Sequence, residues 1–327
     1  MSNLEKDPLE LLVREDPDDE RPDPSGRTVE ILSPRDVPLG GPRAMGVRRT
    51  LPQRARSLIG AWCFVDHYGP EPVEMDVPPH PHTGLQTVSW LFSGRIEHRD
   101  TVGSHAIINP GELNLMTAGR GIAHSEVSVP GDDALPRLLH GAQLWIALPD
   151  SARHGEPFFE NVVPEPFTLD GATVRVFIGS LAGVSSPARV FTELVGAQLD
   201  IPAGTTVTVP VEPGHEHGVL VDTGDVTVDG ASVAVSHLGY LPPGTSSITF
   251  VAETDARLLL IGGTPLGELI VMWWNFIGRD HDEIQRFRDE WQAGLSERPG
   301  RFGVLHGYDG HPLPAPQLPP IRLKPRG

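Results

Sequence analysis

Two short segments carry side chains that could do chemistry together: His80-Pro81-His82 and His124-Ser125-Glu126. Each places two potential metal ligands two residues apart, and a β-strand turns residues i and i+2 to the same face. Two such strands side by side would set three imidazoles and one carboxylate around a point. That donor set suits a first-row divalent ion and leaves positions open for substrate or oxygen. A lone His-x-His pair is weak evidence, because most histidines serve as surface or core residues. A second short-spaced pair beyond two glycine turns shifts the balance toward a metal site.

The elements that position such pairs are short strands and tight turns. The chain has 327 residues, 36 of them Gly and 34 Pro, spread rather than repeated, with 39% apolar residues. This is room for two domains, each with a real core and many turns. Ser93-Gly94, Asn109-Pro110-Gly111 and Gly119-Arg120-Gly121 punctuate the first half at the spacing of an all-β barrel or sandwich. Gln86, Val88, Trp90 and Phe92 share parity with His80 and His82, so they line the same barrel interior if Gly84 does not break the alternation. Pro202-Ala203-Gly204, Pro213-Gly214, Thr223-Gly224-Asp225 and Pro242-Pro243-Gly244 give the second half the same texture, which suggests a duplicated β-domain.

The resulting division is a disordered acidic leader over 1–26, an N-terminal metal-binding barrel over 27–150 and a connection over 151–171. A C-terminal barrel plus helix follows over 172–298, then a loop-like tail over 299–327. The helix is expected from Asp280 and Glu283, which resemble a capping box, followed by Ile284, Phe287 and Trp291 at i, i+3 and i+7.

Net charge is −17. An acidic protein repels a phosphate backbone, which argues against direct nucleic-acid binding. The single cysteine, Cys63, rules out an internal disulfide and lies in an apolar run that reads as inert core. The N-terminus lacks a signal-peptide pattern, and the apolar stretch near 258–278 is broken by Pro265 and Glu268, so no membrane span is expected. A cytoplasmic location follows as an expectation.

Other candidates carry bland readings. His67, placed in a turn before Gly69-Pro70, forms an Asp-His pair with Asp66 that is structural or supports a ligand. His98 and His105 read as surface residues. Arg120 reads as a turn-capping residue, with contact to an anionic substrate as the sharper alternative. His215 and His217 repeat the His-x-His idea. The later strand Ser246-Ser247-Ile248-Thr249-Phe250 offers no second pair, so they read as a solvated loop pair. No phosphate-binding glycine loop or serine or cysteine nucleophile set is evident.

His80-Pro81-His82-Thr83-Gly84, then Asn109-Pro110-Gly111, then Met116-Thr117-Ala118-Gly119-Arg120-Gly121-Ile122-Ala123-His124-Ser125-Glu126 strongly resembles the pirin family. Phe64-Val65-Asp66-His67-Tyr68-Gly69-Pro70 and Trp274-Asn275-Phe276-Ile277-Gly278-Arg279 look like its bacterial members, and the resemblance covers roughly 27–295. It implies an all-β bicupin fold: two antiparallel cupin barrels face to face, with a short C-terminal helix. It places the metal ligands on His80, His82, His124 and Glu126, and implies one divalent ion, Fe(II) first, with Mn, Ni, Co, Cu or Zn as alternatives. Gln86 departs from the family, which often has glutamate there; it is not among the four ligands.

Three imidazoles and a glutamate fill four positions of a six-coordinate ion. Metal coordination lowers the pKa of a bound hydroxyl, and Glu126 could take that proton as the catalytic base. This chemistry fits cleavage of a flavonol by O₂, and the resemblance implies quercetin 2,3-dioxygenase-like activity on a flavonol or a related enediol or aromatic metabolite. The alternative is a non-catalytic metal-binding regulator: a transcriptional cofactor, or a redox-sensing protein that binds an enzyme partner.

Overall fold

The computed structural model describes residues 29–39, 45–72, 74–129, 138–295 and 300–327. The acidic leader expected over 1–26 lies outside the described residues. The chain begins with β1 (Glu30–Leu32), β2 (Arg35–Leu39), β3 (Met45–Leu51), β4 (Trp62–Pro72), β5 (Asp76–His82), β6 (Leu85–Ser93), β7 (Ile96–Asp100) and β8 (His105–Ile108). It continues with β9 (Leu113–Thr117), β10 (Ile122–Ser128), β11 (Leu138–Ala147), β12 (Phe158–Val162), β13 (Phe167–Leu169), β14 (Ala172–Leu181), β15 (Val184–Ser185) and β16 (Leu194–Ile201). The remainder is β17 (Thr206–Pro210), β18 (Glu216–Thr223), β19 (Val226–Val228), β20 (Ala231–Val233), β21 (Leu238–Leu241), β22 (Ser247–Ala252), β23 (Ala256–Gly263), β24 (Val271–Trp273), β25 (Phe276–Gly278) and α1 (His281–Gly294).

The strand orders make the duplication visible. In the first half, β12-β9-β6-β11-β4-β3-β2 forms one sheet and β5-β10-β7-β8 the other. In the second half, β1-β21-β18-β23-β16-β14-β13 and β17-β22-β19-β20 repeat that pattern. Each pair of sheets encloses its own apolar core. Phe64, Leu85, Leu91 and Trp145 meet Val77, Ile96, Ile108 and Ile122 in the first, and Val174, Leu199, Val221 and Leu258 meet Val207, Val228 and Phe250 in the second. The fold is therefore the expected pair of cupin barrels.

The halves also trade strands. β1 pairs with β21 in the second barrel, and β12 pairs with β9 in the first. The 151–171 segment, read as a connection, thus carries β12 and also β13, which pairs with β14.

A third core joins the barrels: Trp62, Val65, Val88, Trp90 and Leu144 pack against Phe177, Ile178, Leu220, Leu259 and Ile261. Trp90 stacks on Phe177 with ring centroids 4.6 Å apart, and its indole N–H donates to Gln198 Oε1 at 2.8 Å. This corrects the parity reading. Val88, Trp90 and Phe92 belong to this inter-barrel core, Gln86 donates toward Arg189 O in the second half, and Leu85 and Leu91 face the first interior. Gly84 breaks the alternation at φ +67, where a Cβ would meet Ile277 O at 2.5 Å.

α1 starts as its sequence dictates. Asp280 is the N-cap and accepts from Glu283 N at 2.8 Å, while Glu283 Oε2 accepts from Arg279 N. Ile284, Phe287 and Trp291 are buried, each worth about 1.5–3 kcal/mol of apolar burial. β24, β25, α1 and the irregular tail pack on the first barrel. Ile277 N donates to Thr83 O at 3.1 Å, Arg153 pairs with Glu283 at 2.6 Å, and Leu313 N donates to Pro79 O at 2.8 Å. Cys63 is buried, and burial pushes its thiol pKa up, which suits an inert core residue.

Candidate metal centre

β5 and β10 lie antiparallel and set His80 opposite His124 and His82 opposite Ile122. The ladder then slips, pairing Glu126 with Val77. Pro78 and Pro79 occupy the slipped stretch, where a residue without an N–H does least harm to the ladder. The imidazoles of His80, His82 and His124 converge so that one ring nitrogen of each lies within 4.8 Å of the others. Glu126 is brought to the same group through His124: the carboxylate, His98 and His124 form a second cluster within the same limit. All four expected ligands are buried, at 0–1% exposure.

The hydrogen bonds fix which ring nitrogens are available. His80 Nδ1–H donates to Pro78 O at 2.9 Å, so Nε2 carries the lone pair, and that atom is buried without a partner. His82 Nε2 and His124 Nε2 face each other at 3.1 Å. Burial, the largest cause for each ring, holds His80, His82 and His124 well below the usual imidazole range. Three buried neutral rings with nitrogens this close are a poor apolar core and a good cation site.

Support comes from residues the sequence reading passed over. His98, expected at the surface, is 2% exposed. β7 pairs with β10 and sets His98 opposite Glu126 and Asp100 opposite His124. His98 stacks on Phe159 with centroids 4.5 Å apart; its Nδ1 lies 3.4 Å from His124 Nδ1 and its Nε2 3.2 Å from Asp100 Oδ2. Asp100 Oδ1 accepts from Val102 N and Ser104 N at 3.0 and 2.8 Å. The anchored carboxylate accepts from His98 Nε2–H, His98 Nδ1 then accepts from His124 Nδ1–H, and His124 Nε2 presents its lone pair inward. A carboxylate–imidazole chain of this kind orients a metal-binding histidine and raises its basicity.

Glu126 has its own neighbours. The Ser89 hydroxyl lies 3.3 Å from Glu126 Oε1 and 2.9 Å from Gln143 Oε1. Tyr68 is buried nearby, and burial, then the Glu126 and Asp66 charges, raise its phenol well above the ordinary value, so it stays protonated. His82 stands edge-on to Trp145, which stacks on Phe64; Arg49 covers Phe64 and is paired with Asp66 at 2.7 Å. The backbone of Asn275, between β24 and β25, lies against the His82 ring.

The remaining candidates fall elsewhere. His105 is exposed and pairs with Glu97 at 2.7 Å. Arg120 pairs with Glu156 at 2.6 Å on the surface. His67 is a buried residue within β4, not in a turn, and sits at the inter-barrel seam. His215 and His217 are not a solvated pair: they are 8% and 1% exposed, and neither nitrogen of His217 has a partner.

Family models match both barrels: Pirin over residues 44–146 and the Pirin C-terminal cupin domain over 196–297. A Pseudomonas aeruginosa protein, provisionally named a quercetin 2,3-dioxygenase, is 40% identical over 296 residues, covering 89% of this chain and 91% of its own. Human pirin is 31% identical over 219 residues, 64% of this chain and 73% of its own. The crystal structure of a quercetin 2,3-dioxygenase from Acinetobacter baumannii superposes with a TM-score of 0.83 at 35% identity, covering 91% of this chain and 98% of that one. A bacterial pirin from Escherichia coli, in complex with nickel(II), shares the fold at 19% identity, with a TM-score of 0.56 over 72% of this chain and all of its own. With two cupin barrels, the buried histidine cluster and these likenesses on both halves, the chain belongs to the pirin family.

Proposed function

We propose that the first barrel holds one divalent first-row ion through His80, His82, His124 and Glu126, and that the protein is a flavonol-cleaving dioxygenase of the quercetin 2,3-dioxygenase type. The observation that carries the metal reading is the convergence of three buried, neutral imidazoles, with one ring nitrogen of each within 4.8 Å of the others and His80 Nε2 without a partner. The related proteins named above support the oxygenase reading, and Fe(II) is the first choice of ion. When bound, the ion would supply Lewis acidity and two further coordination positions. The residues of the chain do the rest. The chain from Asp100 through His98 holds the His124 ring. Glu126 is placed to take a proton from a substrate hydroxyl, and the Ser89 hydroxyl beside its carboxylate steadies the charged form. Phe64, Trp145 and the β24–β25 hairpin exclude water.

The test is aerobic turnover by the purified protein, stripped and reloaded separately with iron, manganese, nickel, cobalt or copper. Loss of the quercetin absorption band with matching oxygen uptake for at least one metal is expected. No turnover with any of them defeats the dioxygenase assignment. One observation favours a second reading, a metal-dependent regulator: the four residues are only 0–1% exposed. Binding to a protein partner that follows the oxidation state of the metal, without turnover, would establish it.

A further inference from the structure

A second cluster of metal-binding side chains lies outside this centre, on the seam between the barrels. His67 comes from β4, His140 from β11 and Asp222 from β18, so two ligands belong to the first barrel and one to the second. Their donor atoms lie within 4.8 Å of one another, and all three residues are buried. Both imidazoles aim Nε2 at the same oxygen: Asp222 Oδ1 lies 2.7 Å from His67 Nε2 and 2.6 Å from His140 Nε2.

Four features point to a built site. His140 sits where the register of β11 shifts against both β4 and β6, and Asp222 where that of β18 shifts against β23. Such bulges re-aim a side chain out of the regular alternation. His67 Nδ1 already has a hydroxyl partner, Ser236 Oγ at 2.9 Å, the support that a metal-bound imidazole needs on its far nitrogen. The other carboxylate oxygen, Oδ2, faces Arg257 Nη1 at 3.5 Å, which leaves Oδ1 as the atom presented to the two rings. Phe92, edge-on to His140 at 4.9 Å, forms an apolar wall.

We propose that His67, His140 and Asp222 form a second divalent-cation site, suited to a zinc-type ion, that ties the two barrels together. The donor set is two imidazole nitrogens and one carboxylate oxygen, with the fourth position open to water beside His140, the ligand nearest the surface. Binding takes Nε2 of each ring, so the proton there moves to Nδ1, and at His67 that proton is donated to Ser236 Oγ. A tetrahedral ion with bonds of about 2.0–2.1 Å spaces its donors about 3.3 Å apart, so the rings must draw back by roughly half an ångström. The Arg257 charge weakens Asp222 as a donor, which makes this site the weaker of the two.

The test is equilibrium dialysis of the metal-free full chain against Zn²⁺, with zinc counted per chain and folding checked by circular dichroism. The wild type should bind two equivalents, the second at least tenfold more weakly. His140→Ala should bind one, His124→Ala one, the double variant none and His215→Ala two. His140→Gln, which keeps a donor toward Asp222 in case the alanine variant unfolds, should also bind one. A single wild-type equivalent that is lost in His124→Ala and kept in His140→Gln overturns the proposal and leaves a hydrogen-bonded clasp between the barrels, whereas a single equivalent with the reverse pattern defeats the first-barrel centre instead. Retention of two equivalents by folded His140→Gln, or loss of the second in His215→Ala, overturns it as well.

Discussion

The two barrels can be laid over one another rung by rung. In the first, His124 stands opposite His80 on one side and Asp100 on the other, and Glu126 stands opposite His98. In the second, Phe250 stands opposite Val207 and Val228, and Ala252 opposite Val226. His80, His82, His98, Asp100, His124 and Glu126 thus correspond to Val207, Val209, Val226, Val228, Phe250 and Ala252, all buried. The same ladder encloses an oil-like interior in one half and a polar pocket in the other. The barrel is therefore indifferent to the chemistry inside it, and function is a set of side chains placed on a scaffold that folds without them.

The sharpest way to break this comparison is to exchange the consequences of two matched positions. His124→Ala should abolish metal retention after gel filtration while costing little stability in the metal-free protein. Phe250→Ala should do the opposite, losing about 3–5 kcal/mol in denaturant unfolding with the metal content of the first barrel unchanged. Equal metal content in the two variants would mean that the wrong barrel carries the centre. Glu126→Gln comes next. It should lower oxygen uptake with quercetin by about 10²–10⁴ in samples shown to be metal-replete, and a wild-type rate there removes Glu126 as the base. Asp100→Asn, which disturbs the proton placement behind His124, should weaken metal affinity by roughly 10–100-fold, measured by competition with a chelator. Unchanged affinity would reduce the His98–Asp100 chain to ordinary packing.

The smallest effect tests a third matched pair. Gln86 and His217 both stand second in their strands, opposite the last residue of β9 and of β21. Burial, with a minor part from His215, lowers His217 to about 4. Above pH 6.5 the ring is neutral whether the chain is folded or not; as pH falls from 6.5 toward 4 the unfolded chain takes up a proton that the folded one refuses. Stability should therefore decline across that window, by on the order of 1–3 kcal/mol. His217→Gln should flatten that part of the pH–stability curve, and an unaltered slope would assign the acid sensitivity to another group.

Much of the centre was legible because its ligands come in two local pairs. His80 with His82 and His124 with Glu126 depend on strand alternation, which holds over three residues. The helix was legible for the same reason, since Asp280, Glu283 and the apolar stripe are all local. What the sequence hid depends on pairing between distant strands. His98 looked like a surface residue until β7 met β10 and set it behind His124. Gln86, Val88, Trp90 and Phe92 were given the wrong neighbour because one left-handed glycine, Gly84, turned the strand over. His67 and Asp222 lie far apart in sequence, and only the closure of the seam brings them together.

The wall around the first barrel has a consequence for the order in which the protein is made. All four candidate ligands precede residue 127, whereas Asn275, Ile277 and Leu313, which meet His82, Thr83 and Pro79, come from the end of the chain. At a synthesis rate of about 5–20 residues per second, roughly 150 residues separate His124 from Ile277, an interval of about 8–30 seconds. During that time the ligands exist on the ribosome without their covering. A hydrated ion can reach them from the open side, and the last segment to be translated shuts the door behind it.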